Sequence, residues 1–175
     1  MAVTKCFYEP VRGAGNERRD ELGNTAPYRK HPHLGEDWGF SNGSEGKDIW
    51  AIHAGKVTKV WNDPALGWSL TTIISAGCEC GFGGFSIEYN HMLKQPTLKV
   101  GDEVKGGWQT VIGLIGATGS ALSASGANHL HASMGKAAVP HTLPLDKKVA
   151  MFPLCTSGSA ERKAFKLAQN PEGIR

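Results

Sequence analysis

The chain has 175 residues, 40% of them hydrophobic, and a formal net charge of +3. This length allows one domain with a buried core, and this hydrophobic fraction argues against a disordered chain. The small positive charge lacks the dense lysine and arginine stripe of a nucleic-acid-binding protein, so we expect no nucleic-acid partner. No stretch approaches the roughly 18 apolar residues of a membrane span, and we expect no membrane insertion.

A mainly β fold is favoured by the 23 glycines, which separate short strand-like runs. Residues 1–30 are polar and predict an irregular arm with at most one short helix. Residues 70–75 and 85–92 predict a hairpin around the glycine-rich turn 76–84. The other predicted strands are two within 48–60 that meet at Ala54-Gly55, one at 111–115 and one at 129–134.

One domain is predicted, with three parts: the arm 1–30, a core over 31–140, and an extension over 141–175 that packs on the same domain. A short helix is predicted at 159–169 within this extension.

The four cysteines are too few for a disulfide scaffold. Free thiols are favoured; a Cys6–Cys155 bridge is one alternative, and a second metal site that uses Cys78 and Cys80 is another.

The first motif with metal-binding chemistry is His33-Leu34-Gly35-Glu36-Asp37. In a straight strand, residues i and i+4 lie about 13 Å apart, too far to bind one ion. If His33 and Asp37 share a metal, the segment must turn, and Gly35 permits a turn.

The second motif, His129-Leu130-His131, lies about 100 residues further along the chain. In a strand, positions i and i+2 point to the same face, so both imidazoles would enter one cleft. One could bind a metal while the other contacts a metal-bound water. Two imidazoles and a carboxylate are the ligand set of a catalytic zinc site with an open fourth position.

Tyr89-Asn90-His91 is a third element with possible catalytic chemistry. By the same two-residue period, Tyr89 and His91 are predicted to share a strand face. His31, His53 and His141 are interpreted as solvated or structural.

These motifs belong to a longer pattern that resembles the M23 (lysostaphin/LytM-type) peptidases. The resemblance covers roughly residues 31–134. Its six blocks are His33–Asp37, Ala54-Gly55-Lys56-Val57, Tyr89–His91, Val100–Gly107, Gly116-Ala117-Thr118-Gly119 and His129–His131.

The resemblance implies one Zn²⁺ per chain, bound by His33, Asp37 and His131. It implies that His91 and His129 flank the bound water and the scissile carbonyl. It also implies an antiparallel sheet that forms a groove with the zinc site at its floor, with few helices. The implied substrates are peptidoglycan peptide stems or cross-bridges, and the implied activity is that of a bacteriolytic zinc metalloendopeptidase.

Residue chemistry allows each histidine either of two roles. A histidine beside the water can accept its proton and later protonate the leaving amine. A second histidine can donate a hydrogen bond to the developing oxyanion. We assign His129 as the base and His91 as the oxyanion stabiliser.

Three other function classes remain open, and one of them is a structural cell-wall or virion protein that keeps the fold without activity. A catalytically inactive relative that binds the wall or regulates another enzyme would typically lack a ligand, and here all five residues are present. The run Val100–Gly107 also occurs in biotinyl and lipoyl carrier domains, but the chain lacks the modifiable lysine in its usual setting.

The setting is predicted from absences in the sequence. Met1 to Pro10 lacks a charged and then apolar export signal. We therefore expect a phage lysin, either an endolysin or a virion-associated enzyme, made in the infected cell's cytoplasm and acting on the wall in the periplasm or exterior. A signal-less fragment of an exported enzyme is the alternative. We expect a monomer that cuts the D-alanyl cross-link rather than a Gly-Gly bridge, because no wall-binding module is visible.

Overall fold

A computed structural model describes residues 7–25, 27, 32–76, 81–123, 128–149 and 151. Within these residues the protein is mainly β, with three short 3-10 helices. None of the helices in this part of the chain is long and apolar enough to cross a bilayer. The four cysteines, His31 and the predicted helix at 159–169 lie outside the described residues.

In the described part of the chain, nine strands form two antiparallel sheets. The larger, curled sheet has seven strands in the order β1-β2-β9-β6-β5-β4-β7, and the smaller pairs β3 with β8. The strands are β1 (Asn16–Asp20), β2 (Glu36–Phe40), β3 (Asp48–Trp50), β4 (Gly55–Asp63), β5 (Gly67–Ile74), β6 (Ser86–Met92), β7 (Glu103–Val104), β8 (Val111–Leu114) and β9 (Leu130–Gly135). The 3-10 helices are Gly119–Ser123, Pro140–Thr142 and Leu145–Lys147.

The central strands carry apolar residues on one face and polar residues on the other. Across β5, β6 and β9, Thr72 pairs with Ile87 and Ile87 with Met134, and all three side chains are buried. The next pairs along, from Thr71 to Glu88 and from Glu88 to Ser133, are polar. Since directly opposed residues point to the same side of a sheet, the apolar rows build the core and the polar rows build a separate face.

The predicted strands and hairpin are confirmed. Residues 48–60 contain β3 and the start of β4, separated near Ala54-Gly55, and β5 pairs antiparallel with β6 around the glycine-rich turn. Gly55 lies so close to the backbone oxygen of Ile73 that any Cβ would clash with it. The motif Ala54-Gly55 therefore requires glycine at position 55, because β4 and β5 approach too closely there for a side chain.

The arm departs from the prediction. Residues 16–20 form strand β1, which pairs with β2, and no helix occurs in the described part of the arm. A polar run of five residues without apolar alternation carries little strand signal. The pairing with β2 is a tertiary contact, and it stabilises strand β1 although the local sequence does not favour a strand.

His53 has a structural position away from the polar rows. Its side chain is buried, Nδ1 donates a hydrogen bond to the carbonyl of Ala54 at 2.6 Å, and the ring packs edge-on against Phe7 at 5.3 Å. Burial lowers the pKa of His53, and the hydrogen bond to Ala54 offsets part of that effect. The folded protein therefore holds His53 in its neutral form.

The stability of the protein should depend on pH through His53. Because the folded pKa is lowered from 6.5, this contribution is present above that pH and is lost as the pH falls below it. We expect the free energy of unfolding of a His53→Gln variant to fall less steeply than that of the wild type between about pH 7 and about pH 5. Urea unfolding at a series of pH values measures both slopes, and parallel curves would contradict the burial argument.

Candidate metal centre and active site

Strand register brings Asp37 and His131 together. Asp37 on β2 pairs directly with His131 on β9, so the two side chains point to the same, polar face of the sheet. His33 lies just before β2, and the chain bends at Gly35 to reach it. A Cβ on Gly35 would lie 2.5 Å from His131 Nε2 and from the carbonyl oxygen of Ala132. The bend at position 35 therefore needs glycine because there is no space for a side chain.

Three donor atoms from these residues form a near-equilateral triangle. His33 Nε2 lies 3.1 Å from His131 Nδ1 and 3.2 Å from Asp37 Oδ1, and His131 Nδ1 lies 2.9 Å from that oxygen. In a tetrahedral zinc site with bonds near 2.1 Å, two ligand atoms lie about 3.4 Å apart. The triangle is within a few tenths of an ångström of that geometry, so this donor set fits a zinc ion with a fourth position open.

The arm supports His33 from behind. His33 Nδ1 lies 3.1 Å from the carbonyl oxygen of Glu21 and 3.7 Å from Asp20 Oδ2. Two backbone hydrogen bonds of 2.8 Å, one with Gly23 and one with Asn24, fix the same segment. A proton on Nδ1, donated to Glu21, leaves the Nε2 lone pair facing Asp37 and His131, which is the arrangement a metal-binding histidine needs.

The charge of Asp37 is also favoured. Burial raises the pKa of this carboxyl group, but the interactions with His131 and His33 outweigh burial and hold the pKa well below its usual range. Asp37 is therefore ionised at neutral pH and available as an anionic ligand.

His129 and His91 lie beside this triangle. His129 Nε2 is 3.7 Å from Asp37 Oδ1, and its ring centroid is 5.0 Å from that of His91. The ring of His91 also lies 6.0 Å from that of His131. The structure thus places all five histidine and aspartate residues singled out in the sequence within one site.

The prediction that Tyr89 and His91 share a face is wrong. Between the pair Leu70–Tyr89 and the pair Trp68–Met92 there is one more residue on β6 than on β5, which is a β-bulge. His91 lies in the bulge with φ of 62°, so the two-residue alternation ends there. Tyr89 points into the core, where its hydroxyl accepts a hydrogen bond of 2.9 Å from the backbone N–H of Ile52.

Sequence reasoning missed two supports of the site. One is the turn at Asp20 and Glu21, which lies outside the six matched blocks and gave no local signal. The other is the carbonyl of Thr118, which accepts a hydrogen bond of 2.9 Å from His91 Nδ1. Thr118 lies in the matched block 116–119, so the resemblance indicated this position but not its hydrogen bond to His91.

Comparison with solved structures identifies the fold. The chain is similar to a zinc-containing peptidase from Vibrio cholerae (24% identity, TM-score 0.60), covering 84% of this chain and 39% of that one. It is similar to the catalytic domain of a mutant of the prophage-encoded M23 protein EnpA from Enterococcus faecalis (22%, TM-score 0.60, covering 81% and 93%). It is also similar to the catalytic domain of the antimicrobial peptidase lysostaphin from Staphylococcus simulans (24%, TM-score 0.59, covering 81% and 92%).

The chain has the M23 peptidase fold. It spans about two fifths of the length of the Vibrio cholerae peptidase. No family model matches the sequence, and a search of curated proteins found no match.

The affinity for Zn²⁺ should distinguish the role of His131 from that of His129. His131→Ala removes one corner of the donor triangle, and we expect the affinity for Zn²⁺ to fall by at least about 100-fold, more than the loss of a supporting residue causes. His129→Ala leaves all three donors in place and should change the affinity by less than about tenfold. Competition titration against a chromophoric zinc chelator measures both. Loss of zinc in the His129 variant would show that this residue is itself a ligand.

Proposed function

We propose that this protein is a zinc-dependent endopeptidase that cleaves peptide cross-links of peptidoglycan. The observation that carries the proposal is the donor triangle of His33, Asp37 and His131 with two further histidines beside it. Structural metal sites use four protein ligands, whereas three ligands with an open position are typical of catalytic zinc. The triangle lies on the polar face of the sheet, and the side chains of Asp37 and His131 are partly exposed.

The proposed metal ligands are His33 Nε2, Asp37 Oδ1 and His131 Nδ1. When bound there, a zinc ion would supply a Lewis acid for the peptide carbonyl and an acidified water. The protein's own contribution is to hold the three donors in place, through the register of β2 and β9 and through the arm behind His33.

His91 is oriented to accept a proton. Its Nδ1–H donates to the carbonyl of Thr118, which has no hydrogen to give in return. The neutral ring therefore carries its lone pair on Nε2, and Nε2 accepts rather than donates. Burial, together with the charges of His129 and His131, lowers the pKa of His91 to about 4, so the ring is neutral at neutral pH.

This geometry favours the reverse of the roles assigned from the sequence. An oxyanion stabiliser needs an N–H aimed at the substrate, and His91 Nε2 lacks one in this tautomer. We therefore propose His91 as the proton acceptor and His129 as the hydrogen-bond donor to the oxyanion. His129 Nε2 lies 3.7 Å from Asp37 Oδ1, so this nitrogen lies beside the donor triangle.

The substrate class rests on the resemblance and on the fold. The fold is shared with lysostaphin's catalytic domain, which is an antimicrobial peptidase, and with the EnpA domain, which is encoded by a prophage. We propose peptidoglycan peptides on this basis, with the D-alanyl cross-link ahead of a Gly-Gly bridge. The action on the wall, the phage origin and the monomeric state stay predictions.

Digestion of purified cell walls tests the activity. We expect incubation of sacculi with the zinc-loaded protein to convert cross-linked muropeptide dimers to monomers, and a chelator to abolish the conversion. Mass spectrometry of the products identifies the bond that is cut. Unchanged dimers on walls of several chemotypes would favour the inactive wall-binding or regulatory relative instead.

Glutamine substitutions test the two histidine roles. A glutamine can donate a hydrogen bond but cannot accept a proton in general base catalysis. We expect His91→Gln to lower kcat by at least about 100-fold, the range typical of a lost general base. His129→Gln should retain more activity than His129→Ala, because its amide N–H replaces the donor. If His91→Gln is the variant that retains activity, the original assignment is correct.

A further inference from the structure

A second polar row lies next to the metal row on the same face of the sheet. Strand register aligns Thr71, Glu88 and Ser133 across β5, β6 and β9. Ser133 follows His131 by two residues, so this row lies about 7 Å from the candidate metal ligand, on the side away from His129. All three residues are buried, and Glu88 has no exposed surface at all.

Residues 136–149, which we call the cover segment, contact this row at Glu88. The segment leaves the end of β9 and returns to it, because Lys148 bridges to Gly135 and the N–H of Val149 donates to Met134 at 2.9 Å. Leu143 packs against Gly135, where a side chain would collide with it. The amino group of Lys148 donates to the carbonyl of Pro140 at 2.8 Å, which fixes the turn between them.

His141 joins the cover segment to the row. Its Nδ1 lies 2.9 Å from each carboxylate oxygen of Glu88, and its backbone N–H donates to one of them at 3.3 Å. On its other side the ring stacks on Trp61, with centroids 6.4 Å apart. Glu88 thus receives a backbone amide and a side-chain N–H from one short segment, as it would from a bound peptide.

Three buried oxygens, from this row and from neighbouring Asn90, lack hydrogen-bond partners among the described residues. They are Thr71 Oγ1, Asn90 Oδ1 and Ser133 Oγ, each shielded from solvent. Burying such atoms without partners costs free energy, so a permanent cover would be expected to lie over apolar residues. Polar groups are expected instead where a polar ligand replaces the cover.

We propose that Thr71, Glu88, Asn90 and Ser133 form a peptide subsite, which the cover segment occupies until substrate displaces it. This inference rests on the proposed peptidase function and names a substrate feature for it. These four residues offer a carboxylate, an amide oxygen and two hydroxyl groups that can accept hydrogen bonds. It therefore fits a peptide that carries a free amino group on a side chain one or two residues from the bond that is cut.

Hydrogen exchange tests displacement of the cover segment without relying on catalysis. The probe is a muropeptide with a free side-chain amine, and the control is the same muropeptide after N-acetylation of that amine. We expect the free amine to speed exchange of the backbone amides in 136–149 by about tenfold, the population change that one charge-assisted hydrogen bond corresponds to. The acetylated muropeptide should leave exchange unchanged. Slower exchange in the segment, or an equal response to both, overturns the proposal.

Two variants test the residues involved. Glu88→Gln removes the charge, and we expect it to lower kcat/KM for the amine-bearing muropeptide about tenfold while leaving the acetylated one unaffected. Glu103→Gln, at an exposed position on β7, is the matched control and should change neither. His141→Ala, whose side chain lies at the surface of the cover segment, should speed exchange in 136–149 without any peptide. Equal losses on both muropeptides in Glu88→Gln would indicate a purely structural role and overturn the proposal.

These measurements also separate this inference from the proposed function. If the wild type cleaves no muropeptide but the exchange response to the free amine is present, the peptidase function fails and the subsite stands. If cleavage is normal but exchange in 136–149 responds to neither probe, the subsite fails and the peptidase function stands.

Discussion

The register between β2, β9 and β6 is the constraint on which the site depends. It pairs Asp37 with His131 and His131 with Asn90 in one row across the sheet. Because side chains alternate with a period of two, a slip of one residue on β9 would turn His131 into the core and expose an apolar neighbour. The buried rows that contain Leu130, Ala132 and Met134 oppose such a slip, so the packing of the core also fixes the metal ligands.

A β-bulge in β6 interrupts this regular alternation and places His91, the fifth residue of the site. The bulge in β6 turns His91 out of the alternation, and a non-glycine residue with φ of 62° costs free energy. Hydrogen bonds on three sides hold it there, since its N–H donates to Leu66, its carbonyl accepts from Gly116, and Nδ1 donates to Thr118. The hydrogen bond from Nδ1 to Thr118 also sets the tautomer of His91. The strained backbone thus places the ring, and the hydrogen bond leaves Nε2 as an acceptor.

The segments before β2 and after β9 also contact the polar face of the sheet. The arm contributes strand β1 and the turn that supports His33, so residues before the matched blocks take part in the candidate metal site. After β9, the cover segment contacts the polar row at Glu88 and presents His141 to it. The polar face is thus bounded by an N-terminal support behind the candidate metal and by a C-terminal cover on the side away from His129.

The sequence by itself determined the mainly β class and the central hairpin, because strand periodicity is a property of short segments. The five candidate site residues were indicated by the resemblance to the M23 peptidases, which short motifs along the chain carry. It did not determine that Tyr89 and His91 point to different sides, since alternation predicts one face and the bulge in the pairing of β6 with β5 decides otherwise. Nor did it indicate β1, the tautomer of His91, or the contact between Glu88 and His141, which lies 53 residues away along the chain. Each of these depends on contacts between distant segments, which only the tertiary structure decides.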